Sequence, residues 1–267
     1  MAPVIVDTHV HVACLDTDRY PRSPRGVGSD WWKSGHDAGS LVAALDGAGV
    51  ERAVVVQAVG PYGYDCRCAI DAVALHRDRL SLVVAVDPDS PDPAADLARL
   101  ARDAPVAGVR LFCIGGEEPA GLTDGRADAV WDAAGELRVT VVPVVFPRHL
   151  AAVRALSERR PSAVVALDHA GFPDLPLGPD APVLGLADLP SMHLKVSSHL
   201  LLEAADPGAE LGRLVAAFGV DRLCWGSDYP QTSPDYGALL AAGRQAAAGL
   251  DAAEQEAFLG ATAARLF

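Results

Sequence analysis

Positive charge is what this sequence has least of: 22 lysines and arginines stand against 35 aspartates and glutamates, a formal net charge of −13. A balance of that sign repels polyanions and excludes nucleic acid and anionic membrane surfaces as partners. It leaves a small anionic substrate open, because a few local arginines can set the potential inside a pocket. The chain also lacks any apolar run of membrane-spanning length, and no basic segment leads into an apolar one near its start. Cysteine is scarce. Cys14, Cys66, Cys68, Cys113 and Cys224 are odd in number, scattered, and without a C-x-x-C pair. They read as reduced thiols, with Cys66 and Cys68 in packing or helix-start positions, and the expected location is the cytoplasm.

What the chain does have is apolar mass: half of its 267 residues are hydrophobic, enough to bury a sizeable core. Short β-branched runs alternate with longer stretches of helical period. The strand candidates begin with "VIVD", "AVVVQA", "SLVVAVD" and "GVRLF", and continue with "VTVVPVVF", "AVVALDH", "HLKVSS" and "RLCWGSD". Eight buried-type strands, roughly thirty residues apart and each followed by a crossover, make a parallel sheet. Eight such units close into a (β/α)8 TIM barrel of the α/β class, here distorted, and one domain spans residues 1–267. Two crossovers are irregular. The Pro- and Gly-rich segment 171–190 holds at most a short helix, and residues 15–39 form a long loop with Trp31 and Trp32. Both follow strand C-terminal ends and belong over the active-site face of the barrel.

The opening "DTHVH" sets Asp7, His9 and His11 two residues apart, on one face of a strand. Inside a barrel that face points inward, where unpaired polar groups cost several kcal/mol. Two imidazoles in one plane are a natural start for zinc or a similar divalent ion. The matching carboxylate is Asp228 in "CWGSDYP", since closing the barrel sets the eighth strand beside the first. "LDHAGFP" places His169 at the end of strand six, and "GVRLF" places Arg110 where a guanidinium can grip a carboxylate or polarise a carbonyl. An ion pair of Arg110 with Asp7 or Asp87 is the structural alternative. His199, Trp31, Tyr62, Tyr64 and Asp65 lie on strand-end loops and are candidates to line the substrate, with Lys195 a weaker one. His149 reads as a surface residue, and His36 and His76 as residues without a chemical role.

With these residues in place, the chain resembles the metal-dependent hydrolases of the amidohydrolase superfamily, in the amidohydrolase-2 branch. "DTHVH", "ALDGAGVERAVVVQ" and "WGSDYP" carry the resemblance, which covers almost the whole chain. Within the branch, "YGYDCR", "GVRLF", "LDHAGFP" and "LKVSS" are similar to stretches of lactonases acting on sugar lactones and pyrone dicarboxylate. Cys66 departs from that pattern, which has asparagine there. The rival subgroup is the zinc-dependent decarboxylases of aromatic or muconate acids. Those place a metal-binding histidine at the end of strand five, where this chain has Phe146. The resemblance implies hydrolysis of a small carboxylated lactone or related cyclic ester, with Asp228 passing a proton from water to the leaving oxygen. It implies that His9, His11 and Asp228 hold a divalent metal, zinc foremost, or that the histidines act directly with no metal. Decarboxylation, and amide or imide hydrolysis, are the alternatives on the same barrel. Members are often dimers or larger, so a homodimer is compatible with the resemblance.

Overall fold

The computed structural model describes residues 4–24, 29–114 and 120–267. Eight parallel strands run in sequence order: β1 Val6–Val10, β2 Arg52–Val56, β3 Leu80–Val86, β4 Val106–Phe112, β5 Thr140–Val144, β6 Val165–Leu167, β7 Met192–Ser197 and β8 Leu223–Gly226. Each is almost wholly buried, as strands covered by helices on one side and packed into a barrel on the other must be. The ring closes just beyond β8, where the Asp228 N–H donates to the His9 carbonyl and the His11 N–H to the Tyr229 carbonyl, both at 2.8 Å. Chains approach closely along this seam. A Cβ on Gly226 would lie 2.9 Å from the His9 Cβ.

Aspartate starts the surrounding helices. Asp37, Asp92, Asp206, Asp235 and Asp251 each accept a backbone N–H from the first turn of helices beginning at Ala38, Pro93, Pro207, Tyr236 and Ala252. Each such cap stabilises its helix by about 1 kcal/mol. Five of the acidic residues thus serve helix ends. No α-helix lies between β6 and β7; residues 171–190 hold a short 3-10 turn, Pro182–Leu186, as the Pro/Gly content predicts. No helix of the described residues is long and apolar enough to cross a membrane.

The bottom of the barrel is plugged. Val54, Val56, Val83 and Val142 pack with Phe267, whose carbonyl accepts the Ser81 hydroxyl at 2.9 Å. Gly108 makes room for this ring, since a Cβ there would stand 3.3 Å from it and 2.9 Å from the Thr140 carbonyl. At the other end, residues 25–28 of the long loop after β1 lie outside the described residues. The rest of that loop carries a 3-10 turn, Trp31–Ser34, and is tied down by a Cys14–Cys68 disulfide. This corrects the reading of all five cysteines as reduced thiols. The sulfurs come from the start of the loop after β1 and the helix Arg67–Leu75, a pairing that only the closed fold reveals, and it removes the cysteine-based support for a cytoplasmic location.

Candidate active site

Four groups named from the sequence converge at the β1/β8 seam. His9 and His11 approach through their Nε2 atoms, 3.2 Å apart, and the Asp228 Oδ1 lies 3.7 and 3.5 Å from them. His169 joins from the end of β6, its ring centre 4.9 Å from that of His9. Ligand atoms of His9, His169 and Asp228 all fall within 4.8 Å of one another. Residues 169–172 hold this turn in left-handed backbone, with φ of 54° at His169, 50° at Ala170 and 52° at Phe172. Asp228 shares that conformation at φ 58°. Left-handed backbone at non-glycine residues costs roughly 1–3 kcal/mol each and collects at functional sites.

A second layer beneath fixes the imidazoles. Asp168, fully buried, accepts from Lys195 Nζ at 2.7 Å and from His9 Nδ1 at 3.1 Å through one oxygen. Its other oxygen lies 3.1 Å from Arg110 Nε. A carboxylate can only accept, so we assign the His9 proton to Nδ1, leaving Nε2 as a lone pair in the site. His11 does the same with another partner: its Nδ1 donates to the Val56 carbonyl at 2.8 Å. Both histidines thus turn bare nitrogens toward each other, an arrangement satisfied by a cation between them or a proton on one of them. Donation of the far N–H to carboxylate or carbonyl is the usual setting of a metal-binding histidine. His169 Nδ1 is buried with no partner among the described residues. The nitrogens and one carboxylate oxygen form a donor set suited to zinc, and their spacings of 3.2 to 3.7 Å bracket the roughly 3.3 Å edge of a tetrahedral site. The residues fit a divalent ion.

Burial and charge set the protonation states. Burial holds His9 well below the ordinary imidazole range, with Lys195 acting in the same direction, and pushes His169 down to about 4. For Asp168 burial works toward the neutral acid, but Lys195, His9 and Arg110 outweigh it and hold the carboxyl well below the usual range. Asp228 is likewise depressed against its own burial, by the adjacent His11 and the nearby His169 and His9. Both aspartates are ionised at neutral pH.

Other residues fall elsewhere. Asp7 does not face the site. β1 slips register against β2 between Asp7 and Val10, and the carboxylate accepts from the backbone of His9 and Ser227 and from the Tyr236 hydroxyl. It ties the seam to the helix Tyr236–Ala247. Arg110 pairs with Asp168, not with Asp7 or Asp87. Tyr62 and Tyr64 do not line the cavity. The buried Tyr62 hydroxyl receives the Cys14 N–H and Arg22, bracing the loop after β1, and Asp65 pairs with Arg67 near the surface. Lys195 lies below the histidines and does not reach the substrate space. His149 is buried, against the surface position read for it. His36, read as inert, supports Trp31 at 6.1 Å and Tyr229 at 5.7 Å. Asp168 escaped the sequence reading. Its signal was its place directly before His169, at the C-terminal end of a barrel strand.

Above the seam opens a cavity of about 440 Å³. His11, His169, Asp228 and Arg110 form its active side, and Trp31 stacks over His11 at 5.8 Å. Phe112, Phe146 and Phe172 form an aromatic wall beside them, and His199 stands at the rim with an ion pair to Glu203. Cavities of this size suit small molecules.

A parallel eight-stranded barrel with its imidazoles and carboxylate at the C-terminal strand ends has the architecture of the barrel hydrolases. The amidohydrolase profile matches residues 6–267, and the chain belongs to that family. The L-fucono-1,5-lactonase of Burkholderia ambifaria is 33% identical over 217 residues, 75% of this chain and 74% of that protein. Among solved structures, a probable 2-pyrone-4,6-dicarboxylic acid hydrolase from Acinetobacter baumannii with citric acid bound superposes at a TM-score of 0.80 with 23% identity. The match covers 98% of each chain. A zinc-bound amidohydrolase from Burkholderia multivorans matches with the same score, identity and coverage.

Proposed function

We propose that this enzyme hydrolyses the ring ester of a small lactone bearing a carboxylate. The observation that carries the reading is the convergence of Asp228 with three imidazoles at the base of a small-molecule cavity. Water attacks the lactone carbonyl and its proton passes to Asp228, which is ionised and 6% exposed. The acyl–oxygen bond then breaks, and the same proton goes to the departing ring oxygen. The product is the open hydroxy acid. A carboxylate of low basicity is a weak acceptor and a strong donor, so delivery to the leaving oxygen is the step it favours. His9, His11 and Asp228 would hold a divalent ion, zinc by donor set, with His169 in reach; bound there, it supplies Lewis acidity toward the carbonyl and the water. Arg110 steadies the substrate's carboxylate or the developing oxyanion from the cavity wall.

Phe146 lining the cavity after β5 weighs against the decarboxylase alternative, whose members place a histidine there. Amide or imide hydrolysis would use the same groups on a different substrate. The test is lactone ring opening, followed by acid release, in protein of measured metal content. About one zinc per chain and turnover are expected, with Asp228→Asn losing about 10³ in kcat. Full activity in Asp228→Asn would remove this mechanism, and CO2 release without water uptake would establish decarboxylation instead.

A further inference from the structure

The aromatic wall beside the reacting groups carries information about the substrate itself. Phe112, Phe146 and Phe172 come from the ends of three successive strands, β4 to β6, and line one side of the cavity. Phe146 and Phe172 meet at 5.5 Å between ring centres, and Phe172 stacks on His169 at 4.7 Å with 28° between planes. Several of the polar groups around the cavity are engaged with one another or with backbone. Thr232 donates to Asp228 at 2.8 Å, Arg110 faces Asp168 and donates to the Gln57 carbonyl at 3.3 Å, and Gln231 accepts from the Ser29 backbone at 3.3 Å.

The backbone gives a second, independent sign. Phe172 sits at φ 52°, a left-handed conformation that a bulky residue rarely adopts. Glycine or asparagine would adopt it with less strain. An aromatic ring held there against backbone preference is positioned by its surroundings, and what it faces is the cavity.

Resting on the lactonase reading above, we propose that the substrate is a flat, mainly apolar lactone, aromatic or alkyl-substituted with at most one charged group, and not a polyhydroxylated sugar lactone. Phe172 is its specificity-determining contact. Hydroxyls turned toward the phenylalanine wall would give up water and find no partner among the described residues, each losing about tenfold or more in affinity. An aromatic or alkyl face loses nothing there and gains the burial.

The experiment compares dihydrocoumarin with D-glucono-1,5-lactone in the wild-type enzyme and in Phe172→Asn, which suits the left-handed backbone while replacing the ring by an amide. Wild-type kcat/KM should favour dihydrocoumarin by about a hundredfold, two unpaired hydroxyls' worth. Phe172→Asn should cut that ratio by about tenfold, through KM for dihydrocoumarin with kcat held within about threefold. Equal or better turnover of the sugar lactone, or a ratio unmoved by Phe172→Asn, would overturn the proposal. Calorimetric binding of the ring-opened acids, 3-(2-hydroxyphenyl)propanoate and gluconate, separates the two readings. If neither lactone is hydrolysed yet the aromatic acid binds and Phe172→Asn weakens it, the pocket assignment stands and the hydrolase reading falls. If the aromatic acid binds no better than gluconate, the pocket assignment falls whatever the turnover.

Discussion

The two sides of the cavity are built on opposite principles. One lining is a lattice of charge: His9 from β1, Arg110 from β4, Asp168 from the end of β6 and Lys195 from β7 interlock at 2.7 to 3.1 Å, centred on the Asp168 carboxylate. The other is a row of phenylalanine rings, Phe112, Phe146 and Phe172, whose contacts are non-directional. A charge lattice in a buried setting fails when one member changes, because the remaining charges lose their compensation. An apolar wall repacks, and volume-preserving exchange there is cheap. Chemistry therefore sits on the side that cannot vary without loss, and recognition on the side that can.

This contrast is sharpest at Asp168. Asp168→Asn keeps the shape but strands Lys195 and Arg110 without a counter-charge, and should lower unfolding free energy by about 3–5 kcal/mol in denaturant titration. A loss under 1 kcal/mol would mean the lattice is no lattice. Opening the covalent tie of the loop after β1, by Cys14→Ser with Cys68→Ser, removes a cross-link spanning 54 residues. The expected cost is about 2–4 kcal/mol, read as a lower thermal midpoint that reducing agent reproduces in the wild type and not in the variant. Tyr236→Phe leaves the Asp7 carboxylate one donor short and should cost about 1–3 kcal/mol with kcat unchanged, since that pair braces the seam and faces away from the cavity. On the aromatic side, Phe146→Leu should change stability by less than about 1.5 kcal/mol and show itself in KM. A collapse of kcat in Phe146→Leu would dissolve the distinction between the sides.

The charged side was the more legible in sequence, for a physical reason. Histidine and aspartate at strand ends contradict their apolar surroundings, so His9, His11, His169 and Asp228 stood out one by one, and the barrel's closure told which of them meet. The barrel itself followed from the thirty-residue rhythm of β-branched runs. Asp7 misled because alternation along β1 is broken by a slip in register, which no periodicity reports. Tyr62 misled because an aromatic residue in a strand-end loop can brace that loop as readily as face the substrate. Asp168 hid behind its neighbour His169, and the Cys14–Cys68 pair behind 54 residues of intervening chain. The phenylalanine wall was the least visible of all. Phe112, Phe146 and Phe172 look like ordinary core residues until three separate strands are set side by side.

Phe267, lodged under the valines of the barrel floor, has a consequence for traffic. A room with its back wall bricked up has one doorway, and whatever goes in must come out past the newcomers. Among the described residues the cavity opens at the end of the barrel away from Phe267, so the opened acid and the next lactone molecule compete for the same space. Progress curves should slow as acid accumulates, with the acid acting as a rival to the substrate for empty enzyme.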